Sequence, residues 1–277
     1  LDVFQLVPAK GSGGAELPDM DYALTIAGNM QVATEGGQVY HTEEPLDMNQ
    51  DPEVTVYEIN GSGYPLVFCH EFAGDYRSWD LQVGYFSRSY NVITYCARGY
   101  PPSDVPDVVA DYSQEQSVEH LRDLLVYLDV DRAHIVGLSM GGNVALNFAL
   151  TYPEMVSSMV LAGTGTGSDE PDDFRKRVLE MSDGMRKGGM DSMAKYVYGP
   201  ARVQLKEKSP KAFDLFRDQF MEHSSIGSAN TFEGVLSKRP PIFELSDRLK
   251  LIEIPTLIMT GDEDDPCINP SLFMKKN

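Results

Sequence analysis

The sequence lacks the residues that mark several protein classes. It has three cysteines, Cys69, Cys96 and Cys267, and their spacing argues against both a disulfide scaffold and a C-x-x-C zinc site. Basic residues are also few, with 23 Lys and Arg against 42 Asp and Glu, a formal net charge of −19. Because so acidic a surface repels nucleic acid and anionic lipid, neither is an expected partner.

Long apolar runs are missing as well. No stretch approaches the roughly 18 apolar residues of a membrane-spanning helix, and the opening residues do not resemble a secretory signal. We therefore expect a cytoplasmic protein, although the sequence starts at Leu1 rather than Met and leaves its natural start open. The sequence does not specify the oligomeric state.

Short runs rich in β-branched and aromatic residues alternate with helical patterns from residue 54 onward. The helical stretch at 113–130 begins with a capping-box-like Ser113 to Gln116 and places its apolar residues on one face. This alternation predicts βαβ units and a doubly wound, mostly parallel sheet. The predicted strands are VTVYEI, PLVFCH, NVITYC, HIVGLS, SMVLAG and PTLIMTG.

The distribution of predicted strands along the sequence divides the chain into three parts. Residues 1–50 form a poorly defined segment with two possible short strands, and residues 51–167 with 250–277 form an α/β core. Residues 168–249 read as helical throughout, which predicts a lid inserted between two strands. Most of the lid's Met, Tyr and Phe side chains are expected to pack it onto the sheet, and the remainder to line an apolar pocket.

One serine stands on a glycine-rich corner between a predicted strand and a predicted helix. Gly137-Leu138-Ser139-Met140-Gly141 fits the pattern G-x-S-x-G, in which small neighbours allow a strained turn to lift the hydroxyl above the sheet. The N–H groups at the start of the following helix favour developing negative charge. The pattern therefore predicts Ser139 as a nucleophile.

At this point residues 54–270 resemble the α/β-hydrolase family. The loop His70-Glu71-Phe72-Ala73-Gly74 is similar to the family's H-G-x-x-G loop, and the resemblance implies an oxyanion hole formed by the N–H groups of Phe72 and Met140. Glu71 replaces the usual glycine and adds a carboxylate near the pocket. His223, on a lid helix, is a second candidate for contact with substrate.

Two further segments extend the resemblance. Residues 96–104 look like a structural turn in which Arg98 bonds carbonyl groups or a carboxylate, and the segment after PTLIMTG would carry the acid of a catalytic triad. That acid is Asp264 by family position, with Asp262 and Asp265 as fallback candidates. The acidic cluster lacks the ligand spacing of a calcium loop, so no metal is expected, and no cofactor is needed.

A serine hydroxyl needs a general base, which the family supplies from a histidine that follows the acid. No histidine follows Asp264. His70 is expected to hold its loop, His120 to face solvent and His134 to lie at the far end of its strand, while His41 only faintly resembles the family's base segment. The simplest hypothesis is that a final strand, a loop bearing the base and a last helix lie beyond Asn277. The alternative is a catalytically silent protein of this fold that binds a small ligand.

These features predict a serine hydrolase that cleaves an ester, lactone or related carbonyl compound. Ring-cleavage ketones and peptides with small N-terminal residues remain possible substrates. Haloalkane chemistry is disfavoured, because that branch of the family resembles this chain but places Asp at the nucleophile position.

Overall fold

A twisted eight-stranded sheet runs through the computed structural model, which describes residues 30–34, 39–40 and 54–277. Its spatial order is β2-β1-β3-β5-β4-β6-β7-β8, in which β5, β4, β6, β7 and β8 are parallel and β1, β2 and β3 pair in antiparallel fashion. The strands are β1 Met30–Thr34, β2 Val39–Tyr40, β3 Val54–Asn60, β4 Tyr64–Cys69, β5 Tyr90–Tyr95, β6 Ala133–Leu138, β7 Val156–Ala162 and β8 Thr256–Met259.

Helices cover the sheet and fill the segment between β7 and β8. Helix α2 begins as its sequence predicts, because the Ser113 hydroxyl accepts a hydrogen bond from the Gln116 N–H at 3.1 Å. The helices associated with the sheet are α1 Asp80–Phe86, α2 Gln114–Tyr127, α3 Met140–Thr151 and α10 Asp265–Lys276. Those between β7 and β8 are α4 Pro171–Gly188, α5 Ala194–Val197, α6 Pro200–Lys208, α7 Pro210–Met221, α8 Ser225–Asn230, which continues into a π-helical turn Thr231–Leu236, and α9 Ser246–Leu249.

The predicted fold class is confirmed, since each of the six runs from VTVYEI to PTLIMTG overlaps one of the strands β3 to β8. Parallel strands connected by helices bury both faces of their sheet, which explains why the runs of the strands β4 to β7 are mostly apolar. In β4 and β6, Val67 and Ile135 pair across the sheet and are fully buried. None of the described helices is long and apolar enough to cross a membrane.

The described residues contain two large apolar cores. One fills the space between the sheet and α2 and α3, while the other lies between the carboxyl ends of the strands and the helices of the 171–249 segment. In this second core Phe72 and Met140 meet side chains of the helical segment, among them Met185, Met193, Phe213, Phe220 and Phe232. The helical segment is therefore fixed directly over the two residues expected to form an oxyanion hole.

The last strand is the least protected part of the parallel sheet. Leu257 and Met259 on β8 are 55% and 51% exposed, whereas Leu161 on the neighbouring β7 is 1% exposed. The loop that carries the acidic cluster follows this strand, so the sheet holds that loop from one side only among the described residues.

Candidate active site

Ser139 lies between the last residue of β6 and the first residue of α3. Its backbone has φ 53° and ψ −107°, and among the described residues only Asp129 shares a positive φ without being glycine. Such a conformation is strained for a residue with a side chain and persists where its surroundings enforce it. The residue is half-buried.

The glycines of the motif are required by close backbone contacts. A Cβ on Gly137 would lie 2.2 Å from the Gly141 carbonyl oxygen, and one on Gly141 would lie 2.1 Å from the Cys69 carbonyl oxygen. No real Cβ tolerates these distances. The motif thus allows α3 to begin against the end of β4, which brings the first turn of the helix to the loop that follows that strand.

Hydrogen bonds fix the backbone of Ser139 on both sides. Its N–H donates to the Ala162 carbonyl at the end of β7 at 2.8 Å, and its own carbonyl accepts from the backbone N–H and the side-chain amide of Asn143, both at 3.1 Å. Asn143 lies one helical turn farther along α3. The strained corner is therefore anchored to a neighbouring strand and to its own helix.

His70 holds the loop that contains Phe72. Its Nδ1 lies 2.8 Å from the Glu71 carbonyl oxygen, and its Nε2 accepts the Ala97 N–H at 2.9 Å, so the ring is a neutral tautomer that donates through Nδ1. Burial lowers the pKa of His70 to about 4. Both ring nitrogens are thus committed to backbone groups, and His70 has none left with which to activate Ser139.

Phe72 and Met140, the two predicted oxyanion-hole residues, occupy adjoining positions. Phe72 follows β4 by three residues and Met140 opens α3, whose first N–H groups have no carbonyl one turn earlier to bind. Phe72 is 4% exposed and its ring stacks on that of Phe232 with centroids 3.9 Å apart. The helical segment thereby packs against the loop that follows β4.

Asp264 lies beside Gly163, at the end of the strand next to that of Ser139. It directly precedes α10. Its Oδ2 would lie 3.2 Å from a Cβ on Gly163, the residue after Ala162, whose carbonyl accepts the Ser139 N–H. Asp264 is half-buried, whereas Asp262 and Asp265 are exposed. The geometry thus favours Asp264, although no contact between its carboxylate and Ser139 is present.

Among the described residues no histidine hydrogen-bonds to the Ser139 hydroxyl. His134 lies near the amino end of β6, where its Nδ1 pairs with the Ser158 hydroxyl at 2.8 Å, and His41 lies outside the described residues. The expectation that His120 faces solvent is wrong. Its Nε2 pairs at 2.7 Å with the Arg98 guanidinium, because the long Arg98 side chain reaches under α2, and burial together with that charge lowers the pKa of His120 to about 4.

His223 lies beside an ion pair, Asp75 with Arg77, that sequence reasoning missed. Asp75 binds Arg77 at 2.6 Å, and the His223 Nε2 lies 3.7 Å from the Asp75 carboxylate. Arg77 also binds Glu222, which is 145 residues away along the chain. Although burial raises the pKa of Asp75, hydrogen bonding from His223 and the hydrogen bonds and charge of Arg77 hold it well below its usual range. The only sequence signal was Asp75 itself, a good cap for the following turn.

The Glu71 carboxyl is turned back over its own loop, since its Oε1 would lie 2.5 Å from a Cβ on Gly74. Burial raises the pKa of Glu71, although Arg202 and His223 oppose that rise. Neither Glu71 nor His223 lines either of the two cavities found beside α3. In the described part of the chain no cluster of three potential ligands for a metal ion is present.

Comparisons with known proteins identify the fold. Residues 64–188 match the family model described as the alpha/beta hydrolase fold. A thermophilic esterase from Thermogutta terrifontis superposes with a TM-score of 0.72 and 22% identity, covering 90% of this chain and 86% of the esterase. The chain has the α/β-hydrolase fold.

Relatives in sequence are distant. The chain is 26% identical over 204 residues to a putative 2-succinyl-6-hydroxy-2,4-cyclohexadiene-1-carboxylate synthase of Bacillus subtilis, covering 72% of this chain and 73% of that protein. It is 25% identical over 228 residues to 3-oxoadipate enol-lactonase 2 of Acinetobacter baylyi, covering 82% and 81%. It spans 64% of the length of an uncharacterized Mycobacterium tuberculosis relative that is 28% identical over 219 residues, 75% of this chain.

Proposed function

We propose that the protein is a serine hydrolase that cleaves an ester, lactone or similar carbonyl compound. The observation that carries the proposal is the strained backbone of Ser139, φ 53° and ψ −107°, at a half-buried strand-to-helix corner. Strain of this kind persists where function requires it. An esterase and an enol-lactonase among the similar proteins support the same reaction class.

In the proposed reaction the Ser139 hydroxyl attacks the substrate carbonyl and forms a tetrahedral intermediate. The N–H groups of Phe72 and Met140 bind the resulting oxyanion, each contributing roughly 3 kcal/mol to transition-state stabilisation. Collapse of the intermediate expels the alcohol and leaves an acyl-enzyme, which water then hydrolyses. No cofactor or metal takes part in these steps.

The proposal assigns Asp264 to orient the general base. A histidine ring that accepts the Ser139 proton would donate its other N–H to this carboxylate, as in other triads. The apolar cluster between Phe72, Met140 and the helical segment supports an apolar acyl or alcohol group on a small-molecule substrate.

A second candidate function is binding of a small ligand without catalysis. It is favoured by one observation: none of the described histidines hydrogen-bonds to Ser139, since His70, His120 and His134 have other partners and His223 lies beside Asp75. In this alternative the same pocket holds a ligand that is released unchanged.

Hydrolysis of 4-nitrophenyl esters of graded chain length separates the two functions. The full protein should turn over at least the short esters, Ser139→Ala should reduce kcat by about 10⁴-fold or more, and the exposed control Ser89→Ala should retain full activity. Circular dichroism should show that both variants remain folded. Hydrolysis that survives in folded Ser139→Ala would refute the nucleophile.

A further inference from the structure

Asn143 is the one buried residue of α3 with a polar side chain. It is 3% exposed, and the other buried residues of this helix are glycine or apolar. A buried amide costs free energy unless its polar atoms find hydrogen-bond partners. Its Nδ2 donates to the Ser139 carbonyl at 3.1 Å, and the same oxygen accepts the backbone N–H of Asn143. The carbonyl of the proposed nucleophile therefore has two donors, one more than the helical backbone supplies.

The Ser139 carbonyl and the Met140 N–H belong to one peptide unit. A trans peptide is planar, so its C=O and N–H point in opposite directions. Because Asn143 holds the carbonyl oxygen toward the body of α3, the Met140 N–H points out of the start of the helix, where it has no carbonyl of its own helix to bind. The direction of one proposed oxyanion donor thus depends on how firmly the Ser139 carbonyl is held.

Backbone strain favours rotation of this peptide. Ser139 has φ 53° and ψ −107°, and ψ is the torsion that orients the peptide between Ser139 and Met140. Such a conformation persists only where its surroundings enforce it. The peptide before Ser139 is held by the Ala162 carbonyl, which accepts the Ser139 N–H at 2.8 Å, so the strain would relax through the peptide that follows. A second donor on the Ser139 carbonyl opposes that rotation.

The same kind of contact occurs farther along α3, away from the nucleophile. The Asn147 Nδ2 donates to the Asn143 carbonyl at 2.9 Å, and the Thr151 hydroxyl donates to the Asn147 carbonyl at 2.8 Å. A side chain that binds the carbonyl four residues earlier is by itself only local bonding. Asn143 differs in its acceptor, which shares a peptide with Met140. Asn147 is therefore a control of the same residue type, and Thr151 shows that a hydroxyl makes this bond on α3.

We propose that Asn143 is a positioning residue, which holds the Ser139–Met140 peptide and thereby aims the Met140 N–H at the oxyanion. The inference rests on the proposed hydrolase function and deepens it. Asn143 acts through Met140 and does not touch the substrate. Loss of a whole oxyanion donor costs about 10²- to 10³-fold in kcat, so a donor that is only loosened should cost less, about tenfold. Ground-state binding should be unaffected, because the oxyanion forms only in the transition state.

Two substitutions of nearly equal shape test the donor. Asn143→Val removes it, whereas Asn143→Thr keeps a hydroxyl that can bind the Ser139 carbonyl. On 4-nitrophenyl acetate, Asn143→Val should reduce kcat about tenfold and change KM less than about twofold. Asn143→Thr should stay within about threefold of wild type, and the control Asn147→Val within about twofold. If the valine variant does not fold, Asn143→Ala takes its place, with the same expected loss of kcat.

Three kinetic results would overturn the positioning role. They are equal kcat values for Asn143→Val and Asn143→Thr, equal losses in Asn143→Val and Asn147→Val, and a rise in KM in place of a loss in kcat. Each of them leaves the hydrolase function standing, because turnover by wild type and its loss in Ser139→Ala test that function separately.

Nuclear magnetic resonance tests the contact without turnover. Serine labelled with ¹³C at the carbonyl and methionine labelled with ¹⁵N together mark only Ser–Met peptides. The chain has three of these, Ser139–Met140, Ser158–Met159 and Ser192–Met193. The first is identified by its loss in Ser139→Ala, and the other two serve as internal references. Asn143→Val should shift the Ser139–Met140 signal, Asn143→Thr should return it toward its wild-type position, and Asn147→Val should leave it in place.

The spectrum also separates failure of the two proposals. If wild type hydrolyses no ester, the hydrolase function fails, and the spectrum alone decides whether Asn143 orients this peptide. A Ser139–Met140 signal that the valine and threonine variants shift equally, or that neither variant shifts from the position it has in Asn147→Val, contradicts the positioning role.

Discussion

The two sides of Ser139 are held in different ways. On the oxyanion side, β4, the His70 ring and the start of α3 are buried and joined by short backbone contacts, such as that of Gly141 with the Cys69 carbonyl. On the acid side, half-buried Asp264 follows β8, a strand whose Leu257 and Met259 are more than half exposed. Backbone packing therefore specifies the oxyanion side, while the acid side depends on one side chain beside β8, the last strand of the described residues.

The largest expected effect tests the acid side. Asp264→Asn should reduce kcat about 10³- to 10⁴-fold, because the base loses the group that orients it and stabilises its cation. The control Asp262→Asn, two residues away and exposed, should keep nearly full activity. Steady-state kinetics on the preferred ester measures both. Equal activity of the two variants would remove Asp264 from the site.

The next effect tests the packing on the oxyanion side. Gly141→Ala should destabilise the protein by roughly 4 kcal/mol, since the new Cβ would lie 2.1 Å from the Cys69 carbonyl oxygen and neither backbone can yield easily. Gly84→Ala on α1 is the control, with no atom within 4 Å of its Cβ, and should stabilise by up to about 1 kcal/mol. Urea unfolding compares them, and a neutral Gly141→Ala would show that the corner is loosely packed.

A third pair of variants compares the strands β7 and β8 directly. Leu161→Ala on β7 should cost about 3 kcal/mol of unfolding free energy, because the side chain is 1% exposed. Leu257→Ala on β8 should cost less than about 0.5 kcal/mol, because its side chain is 55% exposed. Similar losses in both variants would mean that β8 is covered in solution and that the acid side is not less tightly packed than the oxyanion side.

The smallest expected effect is a change of the unfolding free energy with pH. The pKa of His70 is about 4 in the folded protein and 6.5 without its surroundings, so the unfolded chain binds more protons between these values. The His70 contribution, roughly 3 kcal/mol at most, is complete above pH 6.5 and is lost as the pH falls toward 4. Glu58, whose pKa is raised to about 6, acts in the opposite direction.

Comparison of wild type with His70→Asn isolates the histidine from Glu58. Urea unfolding at pH 7.5 and pH 5 should show a smaller loss of stability on acidification in the variant than in wild type. Equal losses would mean that His70 is charged in the folded protein or that its ring is solvated.

The sequence predicted those parts of the site that rest on local patterns. The apolar runs became strands, and the glycine spacing around Ser139 predicted its corner, because both depend on neighbours only a few residues away. Sequence reasoning missed the contacts made by the helical segment. Arg77 meets Glu222 only after the fold brings positions 145 residues apart together. The prediction that His120 faces solvent was wrong for the same reason, because its partner Arg98 lies 22 positions away along the chain.

Covalent labelling with a fluorophosphonate tests the central claim most directly. The full protein should gain one phosphonate per chain, located at Ser139 by peptide mass spectrometry, and the adduct should be absent from Ser139→Ala and undiminished in Ser89→Ala. An unlabelled but folded wild-type protein, or an adduct on another residue, would contradict the assignment of Ser139 as the nucleophile.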